Sequence, residues 1–227
     1  MEPVLNEYGQ PIGPALTSRV PCPPPPHSVL QGRHVTLVPL VPEHAAGFLE
    51  AFTDPSGWTY LPRGPFTDLA DAQAWTDAAA ESKDPLYYTA LVGGKPVGFL
   101  SYLRIALWSG RIEVGFIHLA PALQGTTAAT EAQFLLMAHA FDDLGYRRYE
   151  WKCDSLNGPS RRAAERLGFT YEGTLRQAMH YKGRNRDTSW FSVLDGEWPA
   201  VKARFTAWLD PSNFDDAGNQ KRRLQDC

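Results

Sequence analysis

The sequence predicts an α/β (α+β) fold: one mixed, mostly antiparallel sheet with flanking helices. Three observations predict it. Strand-like and helix-like segments alternate through one continuous stretch, residues 31–210, without an internal repeat. Three consecutive strand patterns in its middle are joined by Gly-containing turns, which makes an antiparallel meander. A helix then separates the third of these from a fourth, and a helical crossover of that kind joins parallel strands.

In chain order, HVTLVPL (34–40) alternates and is rich in β-branched residues, a strand pattern. Glu43 to Phe52 carries a helical stripe, and Asp68 to Ala80 carries another with Asp68 as its N-cap. YYTALV and PVGFLSYLRIAL are strand-like runs around Gly93-Gly94, which supply the positive φ angles of a tight primed turn. Ser109-Gly110 makes the next turn, into RIEVGFIHL (111–119). A helix from Thr127 to Leu144 has Phe134, Leu135, Ala138, Phe141 and Leu144 on its apolar face, and Gly145 ends it. YRRYEWKCD (146–154) is a strand, and Pro159 to Leu167 is a short helix stopped by Gly168. FTYEGTLRQ and RDTSWFSVL (186–194) are the last strands, and Glu197 to Leu209 the last helix, with Asp195 near its start.

Eight of the 19 prolines fall within residues 1–26, ending in PCPPPP. Such a stretch forms neither a helix nor an internal strand. Residues 1–30 therefore read as an arm, disordered or laid across the surface. PSNFDDAGNQKRRLQDC (211–227) is polar and without period, and reads as a frayed tail.

A hydrophobic fraction of 43% excludes wholesale disorder. With 22 Lys and Arg against 25 Asp and Glu, net charge −3, no phosphate-neutralising surface is expected, hence no nucleic-acid partner. No apolar run approaches the ~20 residues of a membrane span, and the N-terminus lacks a secretory pattern. A cytoplasmic protein without a membrane partner is the expectation. Cys22, Cys153 and Cys227 show no metal spacing, so free thiols and no metal are expected. A homodimer is compatible with the sequence.

The chemistry points to RIEVGFIHLAPALQGTTAATEAQ, where a strand hands over to a helix through a short Gly-containing loop. A helix N-terminus offers unpaired N–H groups and the positive end of its dipole. Small residues in GTTAAT (125–130) would let an anion such as a pyrophosphate approach the backbone. They would equally start a well-packed helix. Neither GxGxxG nor GxxxxGK[ST] is present, which weakens the dinucleotide and P-loop alternatives. In CDSLNGPSRRAAERLGF, Asn157 reads either as a helix cap or as an amide facing the space beside the crossover.

Together, GRHVTLVPLVPEH, EVGFIHLAPALQGTTAATEA, DSLNGPSRRAAERLGFTYEG and RDTSWFSVL resemble the GNAT superfamily of acyl-CoA N-acyltransferases, in particular its RimJ/RimL-like branch. The resemblance covers roughly residues 31–200. It implies a twisted sheet whose fourth and fifth family strands splay around acetyl-CoA (coenzyme A). It places the pyrophosphate loop on Gln124, Gly125, Thr126, Thr127, Ala128 and Ala129. It puts pantetheine contacts on Ile117 and Leu119, and the family asparagine on Asn157. Two departures stand out. Ala122 and Thr127 replace the outer residues of the family loop pattern, leaving Gly125, and Ala164 stands where many members carry a general-acid tyrosine.

What the resemblance implies is an N-acetyltransferase acting on a primary amine, a protein N-terminus or a small molecule, by direct attack in a ternary complex. The alternative is an acyl-CoA-binding sensor or interaction module that has lost turnover. Oxyanion stabilisation is expected from the Leu119 N–H; loss of such a donor typically costs about 2.7–4 kcal/mol. Proton return to the thiolate is expected through water or Ser155. Glu113 matches a glutamate that some superfamily members use as base, the alternative being an ion pair with Arg104 or Arg111. Strand alternation places Glu113, Gly115, Ile117 and Leu119 on one face and His118 on the other. WTYLPRGPF (58–66), with Trp58, Tyr60 and Arg63, reads as an acceptor wall or as a cover for the core, and Trp108, Tyr181 and Arg184 as further wall residues. Arg161 and Arg162 read either as phosphate contacts or as solvated helix arginines.

Overall fold

The computed structural model describes residues 3–227, so the first two residues of the arm lie outside the described ones. Strands β1 (Val4–Leu5), β2 (Pro11–Ile12), β3 (Leu30–Gln31) and β4 (Thr36–Pro39) precede helices α1 (Ala45–Ala51) and α2 (Leu69–Glu81). The meander β5 (Leu86–Val92), β6 (Lys95–Ala106) and β7 (Arg111–Leu119) follows, then α3 (Thr127–Ala138) and β8 (Arg148–Asp154). The chain closes with α4 (Gly158–Arg166), β9 (Thr170–Tyr181), β10 (Arg184–Leu194) and α5 (Trp198–Leu209). Eight strands form one sheet in the order β3-β4-β5-β6-β7-β8-β10-β9. All its neighbours are antiparallel except β7 and β8, because α3 carries the chain back across the sheet between them.

Neighbouring residues on β5 and β6 alternate between two clusters, as a sheet covered on both faces requires. Tyr88, Leu100, Tyr102, Ile112 and Tyr149 pack with Leu136, Met137 and Ala140 of the α3 segment. Tyr87 and Phe99 pack instead with Phe48, Phe52 and Trp58. Gly93 and Gly94 both have positive φ, 57° and 77°, as the expected primed turn demands. Asp68 caps α2 by accepting from the Asp71 N–H, and Asn157 caps α4 by accepting from Ser160.

The arm lies along the domain. Prolines lack an N–H and offer carbonyl oxygens alone, so the domain supplies the donors. The Tyr146 hydroxyl donates to Pro23 at 3.1 Å and that of Tyr88 to Pro26 at 3.2 Å, while Cys22 is buried. The tail is not frayed. Asn213 is buried, donates to the carbonyls of Trp208 and Arg222 and accepts from the Arg222 N–H, and Leu224 fills a gap in the core. One buried amide organises this stretch, which leaves no periodic trace in the sequence.

A second buried group fixes the start of the sheet. The Glu131 carboxylate on α3 accepts from the N–H groups of Arg33, His34 and Val35 at 2.9, 2.6 and 3.0 Å, closing the β3–β4 turn. Removing an acceptor from buried donors costs about 1–3 kcal/mol per group left bare. Glu131→Ala should therefore destabilise the protein by about 3 kcal/mol, read as a lower urea midpoint with unchanged slope.

Candidate active site

β7 and β8 pair only from Arg111↔Arg148 to Val114↔Trp151, and beyond that register the two strands part. A bulge makes the parting. Between Ser101↔Gly115 and Phe99↔His118, β6 advances two residues and β7 three, and Phe116 there takes a φ of 45°. An extra residue reverses the alternation downstream. His118 therefore pairs with Phe99 on the face that carries Glu113, while Ile117 and Leu119 pack against the α3 cluster. This corrects the simple alternation expected for residues 113–119.

The Ala120 N–H donates to Val97 on β6 at 2.8 Å, so the Leu119 N–H turns to the opposite edge, into the gap. The Gln124 amide donates to the Leu119 carbonyl at 2.9 Å and ties the following loop to the strand end. Thr126 caps α3, its hydroxyl accepting from Ala129 and donating to Leu123. Among the described residues, the N–H groups of Gly125, Thr127 and Ala128 have no protein acceptor, and a Gly125 side chain would meet open space. Donors at a helix N-terminus with room before them suit a phosphate group. Across the gap, Arg162 and Arg166 of α4 line the same cleft, and neither has an acidic partner among the described residues. Arg166 donates to Thr130 at 3.0 Å.

The cleft has a volume of about 1410 Å³ and runs from these groups through the gap to the opposite face. On that face charges alternate. Arg104 lies 3.5 Å from Glu113, Glu113 2.5 Å from Lys152, Lys152 3.8 Å from Glu150, and Glu150 2.7 Å from Arg148. A bulge at Arg104, whose φ is 50°, turns that side chain toward Glu113, and the Asp84 carboxylate holds it by accepting the Arg104 and Ile105 N–H groups. Burial pushes the Glu113 carboxyl up despite the attraction of Lys152 and Arg104. Burial likewise lowers Lys152, whose ammonium sits 3.6 Å from the centre of the Trp190 ring. His118 is enclosed by Phe52, Trp58 and Phe99, and burial lowers it to about 4, so it is neutral at pH 7.

Among the residues expected at the site, Glu113, Ile117, Leu119, Gln124, Gly125, Thr126, Thr127, Ala129, Asn157, Arg162 and Tyr60 line the cleft. Ala128 turns into the core. Ser155 lies off the cleft wall, its N–H donating to Asp187 in the β8–β10 ladder. Trp58 is buried in the aromatic cluster, and Arg63 donates from Nη2 to both carboxylate oxygens of Asp71. Trp108 is 82% exposed on the turn before β7, at the far end of that strand from the gap. Tyr181, expected as a wall residue, lines the cleft, whereas Arg184 is not among its lining residues; Lys152, Arg166 and Trp190 also line it and were not anticipated. Each sits at an ordinary strand or helix position, and only the sheet order brings them together.

The acetyltransferase (GNAT) domain family model matches residues 34–170. The solved structure of a GCN5-related N-acetyltransferase from Brucella melitensis is 47% identical, covers 92% of this chain and 98% of its own, and superposes with a TM-score of 0.90. A probable GNAT-family acetyltransferase from Chromobacterium violaceum is 43% identical over 84% of this chain and 98% of its own, with a TM-score of 0.78. The uncharacterized N-acetyltransferase p20 of Bacillus licheniformis is 29% identical over 74% of this chain and 97% of that protein.

Breaking a buried ion pair from one side typically costs about 3–5 kcal/mol. Lys152→Met should destabilise the protein by about 3 kcal/mol at pH 8, and adding Glu113→Gln should recover most of it. Because the folded-state Glu113 titrates above its ordinary value, stability is lost as pH rises through that higher value. The single variant should thus lie closer to wild type at pH 5 than at pH 8 in urea titrations.

Proposed function

Because this chain belongs to the GNAT acetyltransferase family, whose members use acetyl-CoA, we propose that it moves the acetyl group of acetyl-CoA to a primary amine by direct attack in a ternary complex. The observation that carries this is the gap between β7 and β8. It has unpaired N–H donors at the start of α3 on one side and a buried carboxylate on the other.

In this reading the pyrophosphate rests on the N–H groups of Gly125, Thr127 and Ala128, flanked by Arg162 and Arg166. The pantetheine arm passes Ile117 and Asn157, and the thioester carbonyl meets the Leu119 N–H. The acceptor enters from the opposite face. Glu113 takes its proton, the new C–N bond forms, and the C–S bond breaks. Gly115 keeps the approach open, since a side chain there would stand 3.4 Å from Glu113 Oε1 and 2.8 Å from Leu103. A thiol with a pKa near ~8.5 leaves without a strong acid. Tyr181 replaces Ser155 as the hydroxyl for proton return. It lines the cleft, donates to Asp154 at 2.9 Å, and is pushed up to about 12 by burial, so it keeps its proton at neutral pH.

Calorimetry should detect binding of both coenzyme A and acetyl-CoA. At a concentration of 100 times Kd, either should stabilise the fold by about 2.7 kcal/mol. No heat and no thermal shift would remove the proposal. Binding without acceptor-dependent thiol release would favour the sensor alternative.

Glu113→Gln should lower kcat/KM for the acceptor by about 100-fold at pH 7 while coenzyme A affinity holds, the scale of a lost general base. Since the base works deprotonated and burial raises it, the acid limb of the wild-type profile should lie above the usual glutamate value of 4.5. A flat profile in that range would assign Glu113 a structural role.

A further inference from the structure

The acceptor half of the cleft has an unequal charge balance. Among the described residues two carboxylates line it, Glu113 and Asp154, and Glu113 is already held by Lys152 at 2.5 Å and faced by Arg104 at 3.5 Å. Asp154 is occupied as well, accepting from the Tyr181 hydroxyl and the Leu156 N–H, both at 2.9 Å. Arg186 also lines this half of the cleft, on the same strand as Trp190 and Thr188. Its guanidinium donates to the neutral Thr188 hydroxyl at 3.2 Å, and it has no acidic partner among the described residues.

The excess of positive charge continues outward. Beyond Arg186 the β9–β10 ribbon carries Arg176, Arg184 and Lys182, the last donating to the Trp58 carbonyl. Of its two acidic residues, Asp187 accepts from the Gln177 N–H and the Asn185 amide, and Glu172 pairs with Arg148 at the ribbon's other end. This stands on a chain whose net charge is −3, so the field at the acceptor mouth has the opposite sign to that of the whole molecule. Arg104 and Arg186 are both aimed by irregular backbone. Register shifts sit between Leu103 and Ala106 and between Arg186 and Thr188.

A second ammonium on an acceptor would find no free carboxylate here and would be repelled by Arg104, Lys152 and Arg186. A carboxylate a few bonds from the reacting amine would instead meet charge-assisted donors, the arrangement arginine serves well. Resting on the transferase reading above, we infer that the acceptor is an anionic amine. It is a primary amine with a nearby carboxylate, held by Arg186 with Arg104 beside the base. Free α-amino acids and acidic peptide N-termini share this chemistry.

The test uses the full chain, acetyl-CoA and a thiol-release assay at low ionic strength. One arm takes short amidated peptides differing only in a glutamate, glutamine or lysine after the amino-terminal residue. The other takes free glutamate against its diamide. The expected result is a kcat/KM at least tenfold higher for the glutamate peptide than for the lysine peptide, with the advantage shrinking at 0.5 M salt. Arg186→Gln should reduce the glutamate-to-glutamine ratio by about tenfold, and Arg186→Lys should restore part of it. Preference for free glutamate over the peptides identifies a small-molecule acceptor, and the reverse a peptide N-terminus; both support the inference.

Equal rates for the three peptides, a preference for lysine, or a ratio untouched by Arg186→Gln would overturn it and leave the transferase reading standing. The N-acetylated glutamate and lysine peptides, titrated calorimetrically with coenzyme A present, give a readout that needs no turnover. Selective binding of the acidic product in a protein that never releases thiol would sink the transferase reading alone. Binding without selectivity would sink the inference.

Discussion

One extra residue in β7 governs the rest of the site. Phe116 occupies a left-handed conformation that costs a non-glycine residue on the order of 1–3 kcal/mol, and the surrounding sheet holds it there. That bulge ends the pairing with β8, turns the Leu119 N–H into the gap, and brings His118 onto the face of Glu113. Without it β7 and β8 would continue as an ordinary parallel pair, and a ligand could not pass between the faces of the sheet. Two further non-glycine residues of positive φ, Arg104 and Gln177, sit where the register also slips, in strands bordering the same cleft. Backbone irregularity is concentrated where the sheet must open and re-aim side chains.

The charged row across β6, β7 and β8 follows from the opening. Glu113 and Glu150 face each other across the parallel pair, which alone would be repulsive, and Lys152 stands between them with Arg104 and Arg148 outside. Burial works against the charged form of both Glu113 and Lys152, so the pair is not there as the cheapest way to fill the space. A hydrophobic pair would pack as well. It could neither place a titratable group at the mouth of the gap nor set charge along the cleft.

Much of the fold was legible in the sequence because local rules set it. Asp68 and Asn157 cap helices, Gly93-Gly94 turns a hairpin, and the element order from β4 to α5 follows from periodicity and turn residues. The loop at Gln124–Thr127 was legible for the same reason, as a helix start with small residues before it. Residues whose positions depend on distant parts of the chain were not. Trp58 and Arg63 look alike from sequence as a wall or as a cover, and their partners, the aromatic cluster and Asp71, decide between the two. Trp108 is one turn away from β7 in sequence, yet stands at the wrong end of a strand about nine residues long, roughly 30 Å at the usual rise. The tail resists reading because a single buried Asn213 organises it, without repetition.

Short-range patterns of caps, turns and alternation in the sequence thus fix the class of the fold, its family likeness and the small-residue loop that starts α3. The tertiary structure alone decided which side chains share the cleft. A one-residue bulge reverses the faces of a strand without any mark in the hydrophobic pattern. Sheet order then sets Arg104, Glu113, Lys152 and Arg186, contributed by four strands, along one cleft. Charge balance in a partly desolvated space is a property of that gathering and not of any segment within it.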